Sequence, residues 1–522
     1  MKDSKYILSI ILLSAYPALS LYAHNLFESS IQSMFLPMIV SIVFGLVAFG
    51  TIKIFLKDTQ KVFILSTALL LMFFLYGHVY LLYAASDIAR VVPLSANSVL
   101  FFLFGVIILS MSVFLMKIKN VMHIASTVAI FISVLVLSVL IFIIPNQTQE
   151  LYQRQKLINY LNNNRQSIHI TNKDSDMYPD IYYIVFDRYA RGDVLKKYFK
   201  FNNTSHVEYL ENSGFSVNEK SYANYPTTYL SLASSLNMQH LTWASKLFGK
   251  TYKDKWIIYE ELLNRNEVGR ILSKLGYSYY FFGSSWEGTK KSIYTTKNYN
   301  VFENVDQFSM YIYENTVLNS LLGMFLGKQS FTGVTHLIKT ADNQILKINK
   351  IPQLIRIKEP KYIFAHFLIP HSPNVLGANC NILEFNVIRK RDENENYINE
   401  LKCASLIMRD FTKEIEKKSS RPYVIIFQSD EGPYLPRKYF EDPSMPSPMT
   451  DASIEIHSKI LLAIKTSDRT LKAPKTPVNI FPLIFNRYFG ASISLKSDKS
   501  YIAKSQDTPH DFMEITKKVN VR

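Results

Sequence analysis

Cysteine is nearly absent: the 522-residue chain has two, Cys380 and Cys403. They permit at most one bridge, so a single disulfide closing a loop in an oxidising compartment and a pair of free thiols are both open readings. Neither lies beside a basic cluster and a histidine, which removes a cysteine nucleophile from consideration. Charge is scarce in the first 146 residues, with eight Lys or Arg against four acids. The rest carries 50 against 38, a net charge of +12, which points to an anionic partner surface. No Lys/Arg-rich stripe interleaved with base-stacking aromatics occurs, so that surface reads as lipid head groups or an acidic glycan and not as nucleic acid. No internal repeat is apparent.

What the first 146 residues have instead is apolar length. Residues 6–23, 34–52, 62–84, 98–116 and 121–144 are each near the roughly 20 apolar residues that cross a bilayer. Lys2 and Lys5 precede the first run as in a signal peptide, but no obvious small-residue cleavage site follows it, so it is expected to stay as a helix. Lys53, Lys57 and Lys61 flank the second connection and Lys117 and Lys119 fill the fourth, whereas the first has none and the third only Arg90. By the positive-inside rule the N-terminus is cytoplasmic and everything after Pro145 lies outside.

The expected division is therefore a transmembrane domain at 1–146, a polar linker at 147–177, and an extracytoplasmic domain at 178–522. In the linker, Leu151, Ile158 and Leu161 can line one face of a short helix on the membrane surface. Beyond it, apolar runs at 180–187, 277–282, 362–369, 423–429 and 459–465 alternate with helical patterns such as 257–275 and 397–417. Strands alternating with helices predict an α/β/α domain with a mainly parallel sheet, and roughly 340 residues suffice for one large core.

Two acids stand where buried parallel strands would end. Asp187 closes the run that begins at Asp180, and Asp430 closes the one that begins at Tyr423. In open α/β sheets, ligands gather outside the carboxyl ends of strands. Between the acids, Asn224-Tyr-Pro-Thr-Thr-Tyr-Leu-Ser231 is a hydroxyl-rich turn entering a helical stretch, and a helix N-terminus there favours an anionic phosphoryl group. Taken singly, an aspartate after a strand or a Thr-Thr pair is more often a simple cap.

Five motifs in order argue otherwise. They are Phe186-Asp-Arg-Tyr-Ala, Asn224-Tyr-Pro-Thr-Thr-Tyr-Leu-Ser-Leu-Ala-Ser-Ser-Leu-Asn-Met238, His366-Phe-Leu-Ile-Pro-His-Ser-Pro373, Gln428-Ser-Asp-Glu-Gly-Pro433 and Thr476-Pro-Val-Asn-Ile-Phe-Pro-Leu-Ile-Phe-Asn-Arg-Tyr-Phe-Gly490. Together they resemble the sulfatase-like branch of the alkaline phosphatase superfamily over nearly all of 179–512. A five-helix membrane bundle ahead of such a domain is similar to lipoteichoic-acid synthases and lipid phosphoethanolamine transferases.

The resemblance implies a metal site in which Asp187 is the early acid, Thr228 the nucleophile and Asp430 the late aspartate. Thr228 is preferred over Thr227 because Ser231 follows it by three residues. Where the family usually has histidine after the late aspartate, this chain has Glu431. A carboxylate still ligates, with a shift from zinc toward manganese or magnesium, so the implied cofactor is one divalent ion, Mn, Zn or Mg. His366, His371 and His457 are the candidate substrate-binding histidines, and Arg188, Arg191, Arg437 and Lys438 are candidates for an anionic donor or for a solvated basic face.

A threonine hydroxyl is a poor nucleophile at neutral pH unless a cation stabilises its alkoxide, and attack on phosphorus then gives a phosphothreonine. A formylglycine sulfatase is excluded, because the stretch at 228–231 offers neither Cys-x-Pro-x-Arg nor Ser-x-Pro-x-Arg. The implied function is a phosphotransferase of the bacterial cytoplasmic (inner) membrane. It would move phosphoethanolamine or phosphoglycerol from a phospholipid donor onto a surface glycan or lipid, with its C-terminal domain facing the periplasm or cell exterior. The alternative is a catalytically silent relative that binds lipid and regulates or scaffolds envelope assembly.

Overall fold

The structure, a computed structural model, describes residues 3–26, 29–92, 94–164, 168–171, 178–255, 257–301, 307–325, 331–433, 450–505 and 507–520. It divides into two compact units, one formed by Met1–Tyr152 with Val305–His336, the other by Gln153–Asn304 with Leu337–Arg522.

Among the described residues, five helices are long and apolar enough to cross a membrane, Ser4–His24, Ile31–Phe55, Thr59–Ala84, Ala96–Lys117 and Met122–Asn163; all belong to the first unit except the end of the fifth, from Gln153 on. Their starts are set by local chemistry: Ser30, Asp58 and Ser95 each accept a first-turn amide. Two short helices from far along the chain, Gln307–Glu314 and Val317–Phe325, belong to the same unit. Phe308 and Ile312 bury among Ala18, Tyr22 and Met34. Where Gly77 N donates to Asn315 O at 2.9 Å, a Cβ on Gly77 would fall 2.7 Å from Asn315 Cα, so the contact needs glycine. The sequence division at 178–522 did not anticipate this segment.

The polar stretch after residue 146 is not an irregular linker at its start. The helix Met122–Asn163 runs through Pro145 without a break. Proline removes one backbone donor, and nearby side chains bond the carbonyls of the preceding turn: Asn146 Nδ2 donates to Phe142 O at 2.7 Å and Thr148 Oγ1 to Ile144 O at 2.8 Å. Its final turns pack on protein, with Leu157 buried beside Ala244, Phe248 and Ile257, and Leu161 partly buried there. Leu151 is exposed and Ile158 intermediate, so the three residues expected on one interfacial face do not share one environment.

The second unit is an α/β/α sandwich. Its sheet contains β1 Asp180–Phe186, β2 Ser216–Val217, β3 Ser278–Phe282, β4 Lys297–Tyr299, β5 Lys361–Phe367, β6 Tyr423–Gln428 and β7 Leu462–Thr466. The spatial order is β2-β7-β6-β1-β5-β3-β4. Strands β6, β1, β5, β3 and β4 are parallel, and β7 and β2 run antiparallel to their neighbours. Every residue of β1 and β5 is buried, as expected of central strands covered on both faces.

Alternation within β1 assigns Ile181, Tyr183 and Val185 to the core under the Thr228–Asn237 helix. Tyr182, Ile184 and Phe186 face the core under the Glu393–Lys418 helix. The latter helix is capped by Asp392 and carries Glu393 and Glu395 in its first turn and Lys417 and Lys418 in its last, complementing its dipole.

Two expectations shift, and one open alternative is resolved. The pattern at 257–275 splits into a π-helical turn, Ile258–Asn264, and the helix Glu267–Lys274, because Asn266 caps the second by accepting from Gly269 N at 2.8 Å. The run at 459–465 is antiparallel because the chain re-enters the sheet from the end at which β6 leaves it. Gly432 N donates to His457 O at 2.7 Å, and a Cβ on Gly432 would lie 1.8 Å from Ile456 O. The cysteines, left open by the sequence, form the disulfide Cys380–Cys403, tying the loop after β5 to the buried face of the Glu393–Lys418 helix. Replacing both by alanine is expected to lower stability by roughly 3 kcal/mol for a loop of this length, read as a lower melting temperature of the detergent-solubilised protein.

Candidate active site

The carboxyl ends of the adjacent strands β6, β1 and β5 converge on one buried cluster. Asp187 follows β1, its amide bonded to Phe367 O at 2.9 Å, and Asp430 lies two residues beyond β6. Ser429 joins the two strand ends, accepting from Tyr189 N at 2.8 Å and donating to Glu431 O at 2.7 Å. His366 comes from within β5, beside Val185 of β1. One ligand atom from each of Asp187, His366 and Asp430 lies within 4.8 Å of the others. His366 Nε2 is 3.7 Å from Asp187 Oδ2 and 3.9 Å from Asp430 Oδ2.

All three residues are at most 2% exposed. Asp187 Oδ1, both Asp430 carboxylate oxygens and His366 Nε2 are buried and take no hydrogen bond among the described residues. Buried polar atoms are normally satisfied, and two carboxylates side by side in a dry site repel. Burial pushes Asp187 up to about 8, with Glu431 adding to the rise and Arg188 opposing it. Burial, reinforced by Asp187, holds Asp430 well above the usual carboxylate range. These orphaned atoms fit a divalent cation, which would supply the missing partners and neutralise the pair.

Thr228 stands at this cluster. Thr227 is the N-cap residue of the helix Thr228–Asn237 by backbone geometry, yet its side chain makes no cap bond. The Thr228 hydroxyl is near enough to Asp430 to lower its pKa somewhat, although no oriented hydrogen bond forms between them. The Thr-Thr pair is therefore not a simple side-chain cap.

Glu431 lies outside the three-residue cluster, and its Oε1 accepts from Arg188 Nε at 3.0 Å. Burial raises Glu431 to about 7 against the pull of Arg188. Arg188 is itself unusual, a non-glycine residue at φ 67° directly after Asp187, with its carbonyl fixed by the Tyr397 hydroxyl at 2.9 Å. Its charge also reaches His371 and His457, each pushed down to about 3 chiefly by burial and further by Arg188. The three candidate histidines thus gather at one end of the sheet: His366 inside the acid cluster, His371 and His457 around Arg188. Arg191 is engaged elsewhere, with Asp193 and with Ser221 O at 2.9 Å. Arg437 and Lys438 lie outside the described residues.

Sequence reasoning missed the layer behind His366. Thr289 Oγ1 lies 2.7 Å from His366 Nδ1 and Ser284 Oγ 2.7 Å from Thr289 Oγ1, while Lys347 Nζ bonds the His366 carbonyl from the other side. The first two follow the end of β3, so the strand-end rule that found the aspartates could have found them. Lys347 sits mid-helix with no sequence signal.

No protein-family model matches the chain, and no curated protein matches it. Solved structures similar to it include the integral membrane lipooligosaccharide phosphoethanolamine transferase A of Neisseria meningitidis, at 11% identity and a TM-score of 0.37 over 88% of each chain. The C-terminal periplasmic domain of phosphoethanolamine transferase EptC from Campylobacter jejuni matches at 12% identity and a TM-score of 0.36, covering 61% of this chain and 91% of that one. The C-terminal periplasmic domain of EcEptC from Escherichia coli in complex with zinc matches at 11% and 0.38, covering 67% and 95%.

Proposed function

We propose that the protein is an integral-membrane, metal-dependent phosphotransferase that moves a phosphoethanolamine or phosphoglycerol group from a phospholipid onto a cell-surface glycan or lipid. The observation that carries this reading is the pair of buried, unsatisfied aspartates, Asp187 and Asp430, beside a threonine hydroxyl at a helix N-terminus. Five apolar helices in the same chain put that chemistry at a bilayer. The charge of the connecting loops supports an outward-facing catalytic unit at the bacterial cytoplasmic membrane.

Asp187, Asp430 and Thr228 would hold the cation, which when bound supplies Lewis acidity toward the hydroxyl and a phosphoryl oxygen. Thr228 Oγ1 attacks phosphorus, the new O–P bond forming as the bond to the diacylglycerol oxygen breaks, and the proton lost by the threonine hydroxyl passes by way of Asp430 to that oxygen, releasing neutral diacylglycerol. Asp430 is the neighbouring acceptor for the hydroxyl proton. The first-turn amides, not capped by the Thr227 side chain, would bind the phosphoryl oxygens as a helix N-terminus does. Arg188 and the neutral His457 would donate N–H groups to the same oxygens, whereas His371, whose Nδ1–H donates to Ser372 O, presents Nε2 as an acceptor. An acceptor hydroxyl then attacks the phosphothreonine, its O–P bond forming as the Thr228 O–P bond breaks, and its proton returns by way of Asp430 to the Thr228 oxygen.

Mass spectrometry of surface glycans and lipids from cells with and without the protein tests this. The expected result is a species heavier by phosphoethanolamine or phosphoglycerol, present only with the wild-type chain. A cellular phenotype that depends on the protein, with no such mass difference and with full complementation by Thr228→Ala, would favour a lipid-binding regulator instead.

A further inference from the structure

We infer that His366, rather than Glu431, is the imidazole or carboxylate that joins Asp187 and Asp430 on the divalent cation, and that Thr289, backed by Ser284, is the positioning residue that aims it. This rests on the phosphotransferase reading only in placing a cation between the two aspartates.

The geometry separates the two candidates. His366 is fully buried, and its Nε2 faces both carboxylates at 3.7 and 3.9 Å without a hydrogen bond. Glu431 spends Oε1 on Arg188 at 3.0 Å and does not join the group whose ligand atoms lie within 4.8 Å of one another. Behind the ring, Nδ1 is 2.7 Å from Thr289 Oγ1, which is 2.7 Å from Ser284 Oγ. Thr289 is 2% exposed and Ser284 fully buried, so water does not compete for these bonds.

With Nδ1–H donated to Thr289 and the Thr289 hydroxyl donated to Ser284, the lone pair of Nε2 points at the aspartates. Metal-bound histidines are held in this way, by an outer oxygen that fixes the tautomer and raises the basicity of the ligating nitrogen. Lys347, buried and bonded to the His366 carbonyl, fixes the backbone at the same residue. One imidazole, two carboxylates and a hydroxyl form a mixed nitrogen and oxygen set, which favours zinc or manganese over magnesium.

The test is zinc and manganese titration of the metal-stripped, full-length protein in detergent against a chromophoric chelator, together with X-ray absorption of the zinc-loaded wild type. Wild-type zinc should show an imidazole shell. His366→Gln should lose that shell and weaken zinc more than roughly 100-fold, manganese less. Thr289→Val should weaken zinc about 10- to 100-fold and Thr289→Ser only a few-fold, since serine keeps the acceptor. Glu431→Gln should stay within about threefold of wild type.

Zinc binding that survives His366→Gln but is lost in Glu431→Gln, or a zinc spectrum without imidazole, overturns the assignment while leaving a metal-dependent enzyme intact. If His366→Gln does not fold, the wild-type spectrum and the Thr289 pair decide alone. A wild type that takes up neither metal removes the cation, and the phosphotransferase reading falls with it.

Discussion

Thr228→Ala is expected to lower transfer by roughly four orders of magnitude while leaving the protein folded and most of its bound metal in place. Both halves follow from where the residue stands. Thr228 is the first residue of its helix and only partly buried, and alanine is a better helix former than threonine, so the substitution costs little stability. What it removes is the hydroxyl that this helix start places near Asp430 and, on the proposed mechanism, the covalent step. Thr227→Ala is the control. Substituting an N-cap threonine usually costs about 1 kcal/mol, but here the side chain makes no cap bond, so both stability and transfer should change much less. Transfer rates measured with a labelled phospholipid, alongside metal content and a melting curve, separate the outcomes. A reversed order of the two variants would shift the nucleophile by one residue.

Asp180→Ala is expected to destabilise the protein by about 3–5 kcal/mol, the cost typical of leaving one member of a buried ion pair alone. Asp180 and Lys361 open the neighbouring strands β1 and β5 at the end of the sheet opposite the cluster. Asp180 is fully buried, as is Lys361, and Lys361 Nζ lies 2.5 Å from Asp180 Oδ2. Burial drives Asp180 up and Lys361 down from their ordinary values despite their attraction, so the pair does not recover its full desolvation cost.

The double variant Asp180→Leu/Lys361→Met should therefore lie close to wild type. Denaturant midpoints of the three proteins in the same detergent make the comparison. A double variant as unstable as Asp180→Ala would show the pair itself to be strongly stabilising. The experiment is also a control for the active site, since neither residue is near it along the sheet.

How much of this was legible from residues alone depended on whether a local rule governed the feature. Asp187 and Asp430 were found because buried parallel strands are continuous apolar runs whose ends are visible, as in Tyr423 to Gln428. The helix starting at Thr228 was visible in the Pro226-Thr-Thr turn before an apolar periodic stretch. The antiparallel direction of β7 was not, because strand direction is set by where the intervening chain goes, and here it turns back on the tight contact between Gly432 and Ile456. The continuation of the fifth membrane helix past Pro145 was hidden because proline ordinarily marks an end, whereas here it costs one amide within a 42-residue helix. The place of His366 against the acids, and of Thr289 against His366, is a matter of register between strands distant in sequence. Likewise, Cys380 and Cys403 became a pair only once the loop after β5 lay on the helix that carries Cys403.

The segment 305–336 changes how the molecule can be taken apart. Because it leaves the second unit, packs with the membrane helices at Phe308, Ile312 and Asn315, and returns, the chain crosses between its two units three times. A protease nick near residue 152 would thus leave the halves stitched together. A soluble fragment made by simple removal of the N-terminal helices would carry an orphaned apolar hairpin and tend to aggregate through it. Clean separation requires deleting that hairpin as well, so the two units are not interchangeable cassettes joined by a single tether.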